Sequence, residues 1–84
     1  MPLTSPKYPF TKTAVSGAPD DPGVYALYCE NELLYVGAAE RAKRATIRSR
    51  LIEHFSGERE PTGATHYKWE IRSDPLARLA ELSG

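Results

Sequence analysis

The chain has 84 residues, which is close to the lower limit for burying a single core and excludes a second domain, a barrel or a propeller. Hydrophobic residues make up 40% of the sequence and charged residues 26%, so a disordered chain is not expected. The formal net charge is zero, and a neutral chain as a whole is a poor nonspecific clamp for nucleic acid.

The sequence also carries no signal for a membrane or for an oxidising compartment. No apolar stretch approaches the ~18 residues that a membrane span needs. Residues 1–7 lack the apolar core of a secretory signal. Cys29 is the only cysteine, so an internal disulfide is impossible. These features predict a cytoplasmic protein that does not associate with membranes.

Residues 1–22 form the first segment of the chain, and they contain five of the seven prolines without any sustained periodicity. This composition predicts an extended N-terminal lead-in, anchored on the rest of the protein by Tyr8 and Phe10. The Asp-Asp-Pro-Gly tetrapeptide at 20–23 is a turn signal. The domain proper is predicted to occupy residues 23–84 and to be short at its C-terminus.

Two runs of β-forming residues, 23–29 and 33–37, are separated by three polar residues, which predicts a β-hairpin. Asn31 is the residue in the connection that best tolerates a left-handed conformation. Tyr25 and Tyr35 lie ten residues apart, one on each arm. They could share one face of the sheet, although tyrosines in hairpins more often serve only to pack.

A helix is predicted after the hairpin, with Thr46 as its N-cap and Gly57 at its end. Ile47, Leu51 and Phe55 recur at i, i+4 and i+8 and would form its apolar face. Two further residues of this helix, Arg50 and His54, lie four positions apart on one flank of that face.

Alternation over residues 66–72 predicts a half-buried strand with Tyr67, Trp69 and Ile71 on its inner face. Asp74 and Pro75 are typical of the N-cap and first position of a helix. That helix would bury Leu76 and Leu79. The resulting β-β-α-β-α order predicts an α+β fold, in which helices flank a three-stranded antiparallel sheet.

The two hairpin tripeptides, Gly-Val-Tyr at 23–25 and Tyr-Val-Gly at 35–37, resemble the signature of the GIY-YIG nuclease superfamily. The Arg-Leu and His-Phe pairs at 50–51 and 54–55 resemble the helix that follows in that family, and the likeness extends over 22–82. It implies a DNA endonuclease of the repair type, including nucleotide excision repair, that depends on one Mg²⁺ or Mn²⁺ ion. DNA and a repair or recombination protein would be its partners.

The resemblance also implies roles for individual residues. Tyr35 would act on the attacking water, Tyr25 would support it, and Arg50 would stabilise the phosphate charge, with His54 as a further catalytic residue. A guanidinium suits this task because its fork of donors matches phosphate oxygens.

The metal ligand is where the sequence departs most from the family pattern. Family members carry a glutamate on the last helix, and Glu81 is the only acid there. The predicted phase of the helix places Glu81 nearly opposite its buried side. Leu79 is the other match for the glutamate position, and it would leave the metal site incomplete. Ala38 stands where repair-type relatives carry a lysine, and Glu70 is a weaker substitute ligand.

A basic run free of acids completes the candidate features; its members besides Arg50 are Arg41, Lys43, Arg44 and Arg48. Such a run is either a solvated face or a nucleic-acid-binding surface. Two other functions therefore stay open beside the endonuclease. One is a nucleic-acid-binding module of the same fold with weak or no catalysis, and the other is a protein-interaction domain that uses an exposed aromatic sheet.

Overall fold

A computed structural model describes residues 7–83 of the chain, and these residues form an α+β fold with four antiparallel strands and three helices. The fold class predicted from the sequence is therefore confirmed, with one strand more than expected. The elements in chain order are β1 (Tyr8–Pro9), α1 (Lys12–Ser16), β2 (Gly23–Cys29), β3 (Glu32–Ala39), a 3₁₀ turn (Arg41–Lys43), α2 (Ile47–Ser56), β4 (His66–Ile71) and α3 (Pro75–Ser83).

The additional strand and helix come from the segment that was predicted to be an extended lead-in. Tyr8 pairs with Tyr67, so β1 extends the sheet to the order β1-β4-β2-β3. Thr11 caps α1 through its side chain, and Val15 of that helix is buried in the core. The extended prediction was wrong for residues 12–16, which form α1, because a helix of five residues is too short to show periodicity. Residues 1–6 of the lead-in lie outside the described part of the chain.

The helices cover the two faces of the sheet unequally. Helices α1 and α2 lie on one face, and α3 lies on the other. Alternate residues of β2 face the two layers, as the period of two along a strand requires. The larger core includes Val15, Tyr25, Leu27, Ile47, Leu51 and Tyr67. The smaller core is formed by Val24 and Ala26, with Leu79 of α3 packed against them.

Helix α2 begins and ends where the sequence predicts. The Thr46 side chain accepts a hydrogen bond from the Ser49 backbone N–H at 3.1 Å, and the Ser49 hydroxyl accepts one from the Thr46 N–H at 2.9 Å, which forms a capping box. The predicted apolar face is corrected at one position. His54 is buried beside Ile47 and Leu51, whereas Phe55 is half exposed.

The last helix has a different phase from the predicted one. Arg78 is buried and grips the buried Glu70 of β4 through two contacts, Nε to Oε2 at 2.8 Å and Nη2 to Oε1 at 3.3 Å. With this ion pair formed, Arg78 and Leu79 lie on the side of α3 that faces the sheet, and Leu76 is 56% exposed. The prediction that Leu76 is buried was wrong. Ile71 shares one face of β4 with Tyr67 and Trp69, as predicted, but it is half exposed at the end of the strand.

The hairpin between β2 and β3 forms as predicted, with a two-residue turn at Glu30 and Asn31. Glu30, and not Asn31, adopts the left-handed conformation, with φ of 57°. The register shifts by one residue beyond the pair of Leu27 and Tyr35. Within residues 7–83 no helix combines the length and the apolar character needed to cross a membrane.

Candidate active site

The two signature tyrosines lie on the same face of the hairpin, under helix α2. Tyr25 pairs with Gly37 across the strands, and Leu27 pairs with Tyr35, so Tyr35 is the diagonal neighbour of Tyr25. The centroids of the two tyrosine rings are 6.0 Å apart. Tyr25 is buried, with 1% of its surface exposed, and Tyr35 is half-buried.

The glycine of the second tripeptide makes room for this pair of rings. A Cβ atom on Gly37 would lie 2.6 Å from a ring carbon of Tyr35 and 2.7 Å from Cζ and the hydroxyl oxygen of Tyr25. Gly23 has a similar role in the first tripeptide, because its Cβ would collide with the backbone of β4 and with Ile47. Both glycines are therefore required by close packing and not by a turn.

His54 of α2 completes the cluster. Its Nε2 lies 2.9 Å from the Tyr25 hydroxyl, and its Nδ1 lies 3.1 Å from the carbonyl oxygen of Pro61. A carbonyl can only accept, so Nδ1 carries the proton and donates it to Pro61. Nε2 is then the acceptor for the Tyr25 hydroxyl. The His54 ring centroid is 5.5 Å from that of Tyr25 and 5.4 Å from that of Tyr35.

Burial sets the protonation of both hydrogen-bonded partners. It lowers the pKa of His54, although the carbonyls of Pro61 and Arg59 act in the opposite direction. Burial also raises the pKa of the Tyr25 hydroxyl, and Tyr35 raises it further. At neutral pH, His54 is thus a neutral base and Tyr25 a neutral donor. Both residues are closed off from solvent, since each is only 1% exposed.

Arg50 lies next to the cluster and shares a carboxylate with a second arginine. Its Nη1 is 3.0 Å from Oε1 of Glu53, and Nε of Arg59 is 2.7 Å from the same oxygen. The charges of Arg59 and Arg50 lower the pKa of Tyr25, against the larger effect of burial that raises it. Arg59 was missed by the sequence reasoning, because it lies in a loop with no periodicity or motif.

Three of the four predicted nucleic-acid-binding residues are exposed, and the fourth makes a contact within the fold. Arg41, Lys43 and Arg44 are exposed in and after the 3₁₀ turn, and Lys43 pairs with Glu40 at 3.4 Å. Arg48, in contrast, donates from Nε to the backbone oxygen of Ala18 at 2.8 Å, so it fastens α2 to the chain before β2. Arg41 and Arg44 also share a shallow pocket with two acids, Asp20 and Asp21.

The carboxylates do not fit the single metal ion that the resemblance implies. Glu81 lies on the helix that covers the opposite face of the sheet, and it pairs with Arg78 at 3.2 Å. Glu53, which precedes His54 on α2, is already paired with two guanidinium groups. Across the described residues, no group of three or more His, Cys, Asp or Glu side chains could hold a metal ion. The structure therefore does not bring Glu81 together with Tyr25, Tyr35, Arg50 and His54.

Comparison of the chain with models of protein families, with curated proteins and with solved structures finds no match. The assignment to the GIY-YIG superfamily therefore stays a prediction. It depends on the two tripeptides and the helix residues, together with the geometry that surrounds them.

Proposed function

We propose that the chain is a small DNA endonuclease domain of the GIY-YIG type, which hydrolyses phosphodiester bonds beside the cluster of Tyr25, Tyr35 and His54. One observation carries the proposal: the Tyr25 hydroxyl lies 2.9 Å from Nε2 of a neutral histidine that a backbone carbonyl orients through its other nitrogen. A proton donor, a base and a group that orients the base form the arrangement expected of general-base catalysis.

The proposed reaction moves one proton inward. Water attacks the phosphorus, the bond to the leaving oxygen breaks, and that oxygen takes a proton from solvent. The proton released by the water passes to the half-buried Tyr35, whose own proton passes to Tyr25, which donates to Nε2 of His54. Tyr25 stays neutral throughout, as its raised pKa favours, and acts as a relay and not as a phenolate base.

Arg50 would bind the phosphate on which this chemistry occurs. Its side chain is mostly buried, with 16% exposed, and Glu53 holds one of its nitrogens. The remaining donors of the guanidinium can form charge-assisted hydrogen bonds to two phosphate oxygens. Fixed positive charge of this kind stabilises the additional charge that develops in the transition state.

A second function is favoured by a separate observation. Glu53, beside the cluster, is paired with two arginines and does not fit a divalent ion, and Tyr25 and His54 are closed off from solvent. A domain that binds DNA through Arg50 and the exposed basic turn at 41–44, with weak or no hydrolysis, is compatible with both features. The metal dependence implied by the resemblance plays no part in either proposal.

The test is nicking of supercoiled plasmid by the purified chain in EDTA, Mg²⁺ or Mn²⁺, with DNA binding measured in parallel. We expect nicking that falls about 100-fold or more in Tyr25→Phe and His54→Gln, since loss of general acid–base catalysis typically costs that much. Tyr28→Phe and His66→Gln are matched controls that leave the cluster intact.

The outcomes separate the candidate functions. Nicking that is equal in all of these variants would contradict the role of the cluster. A wild-type protein that binds DNA but never cuts it would support the binding module. A protein that neither cuts nor binds would favour the protein-interaction domain.

A further inference from the structure

We infer that Arg50 and Arg59 form a two-arginine phosphate clamp, with Glu53 as the residue that positions both guanidinium groups. The inference rests on the proposed function and adds to it a second cation, from the loop after α2. It assigns to that loop a role in phosphate binding, which the sequence motifs do not suggest.

The geometry of the clamp is fixed by a single oxygen atom. Oε1 of Glu53 accepts from Nη1 of Arg50 at 3.0 Å and from Nε of Arg59 at 2.7 Å. Two cations that share one anion leave a net charge of about +1. Among residues 7–83, neither guanidinium makes another hydrogen bond, so most of their N–H donors remain available to an anion.

The loop that carries Arg59 is held against the end of α2. The backbone N–H groups of Glu58 and Arg59 both donate to the carbonyl oxygen of Glu53, at 2.9 and 3.2 Å. Two residues farther on, the carbonyl of Pro61 accepts from Nδ1 of His54 at 3.1 Å. The segment that presents Arg59 is thus attached to the residue proposed as the base.

The clamp also lies near the reacting groups. Arg50 lies one turn before His54 on α2, and Arg59 lies two residues before Pro61, whose carbonyl oxygen accepts from His54. Arg59 is 41% exposed and Arg50 is 16% exposed, so an anion could reach the pair from solvent. Two guanidinium groups beside the tyrosines supply positive charge for the phosphate. The acid at this site is already paired with them, so it does not supply such charge by binding a metal ion.

The experiment measures binding of a fluorescein-labelled DNA duplex by anisotropy in EDTA, over a range of salt concentrations. We expect Arg59→Gln to weaken binding about tenfold or more, because hydrogen bonds to charged groups are worth that much. The slope of log K against log salt should become shallower by about one. Arg59→Lys should recover the slope but only part of the affinity, since it keeps the charge and loses the fork.

Arg72→Gln is the matched control, because it removes the same charge from a half-buried arginine that pairs with Glu70 and Asp74. It should leave binding unchanged. Equal losses in Arg59→Gln and Arg72→Gln, or no loss in Arg59→Gln, would overturn the clamp while leaving DNA binding and cleavage by the wild type intact.

A titration with inorganic phosphate distinguishes failure of the clamp from failure of the proposed function. Saturable shifts of the Nε–H resonances of Arg50 and Arg59, without shifts at Arg72, support the clamp even if the protein does not act on DNA. Absence of saturable shifts in the wild type contradicts the clamp even if the protein cuts plasmid.

Discussion

Gly37 illustrates how one residue determines the geometry of the cluster, because its missing side chain leaves the space that the rings of Tyr25 and Tyr35 occupy. Gly37→Ala would force its Cβ to within 2.6–2.7 Å of both rings. We expect a loss of about 1–3 kcal/mol in the free energy of unfolding, as is usual for overpacking. Urea denaturation measures this loss.

Gly17→Ala is the control, because its Cβ would meet backbone oxygens only at 3.6 and 3.8 Å. It should be neutral or slightly stabilising. If the two alanine variants unfold at the same urea concentration, the packing role of Gly37 is wrong.

His54 should make the stability of the protein depend on pH. Burial lowers its pKa in the folded protein, so the unfolded chain binds the proton more tightly. Protonation of His54 therefore does not reduce the free energy of unfolding above about pH 6.5. Below that pH, the free energy of unfolding decreases until the pH reaches the pKa of His54 in the folded protein. Urea denaturation at a series of pH values between about 5.5 and 7.5 measures the slope.

His54→Gln should flatten this slope. The slope, and not the absolute stability, is the diagnostic quantity, because His54→Gln also alters the contacts to Tyr25 and Pro61. An unchanged slope in His54→Gln would show that His54 is not a buried neutral histidine in the folded protein.

At the scale of elements, helix α2 matters most, since it carries Arg50, Glu53 and His54 in two successive turns. Its N-cap, Thr46, also donates from its hydroxyl to Asp20 at 2.9 Å. Thr46→Ala should therefore cost about 1–2 kcal/mol of stability, measured by thermal or urea denaturation. Ser56→Ala, at the other end of the helix, should change stability far less, and equal losses would contradict the capping role.

Glu81 on helix α3 tests whether the functional site includes residues on the opposite face of the sheet. Glu81 is 60% exposed and lies on the face of the sheet opposite the tyrosines. We expect Glu81→Gln to leave DNA cleavage and binding unchanged and to alter stability by less than about 0.5 kcal/mol, because the Glu81 carboxylate is mostly exposed and Arg78 keeps its ion pair with Glu70. A loss of cleavage comparable to that of His54→Gln would restore Glu81 as a metal ligand.

The elements also show which features local sequence can predict. Residues 23–37 and the ends of α2 were predictable, because strand alternation, a capping threonine and a terminal glycine act over a few neighbouring residues. The phase of α3 was not, because it is set by the ion pair between Arg78 and Glu70, eight residues away on a strand. Arg59 was not predictable either, since its position depends on how the loop packs against Glu53.

The whole molecule separates two environments across one sheet. The face under α1 and α2 holds the tyrosines, His54 and the arginine pair, whereas the face under α3 holds the buried pair of Glu70 and Arg78. The net charge of zero, which argues against a general nucleic-acid clamp, is thus compatible with one locally cationic face. DNA contact is expected on that face only.

The most direct measurement of this claim is an NMR titration of the isotope-labelled protein with a short DNA duplex. Saturable shifts should concentrate at Tyr35, Arg50, Arg59 and the exposed basic turn at 41–44. Residues of the opposite face and of the helix that covers it, including Glu70, Leu76 and Glu81, should not move. Shifts confined to the α3 face, or no saturable shifts at all, would contradict a phosphodiester site at the tyrosine cluster.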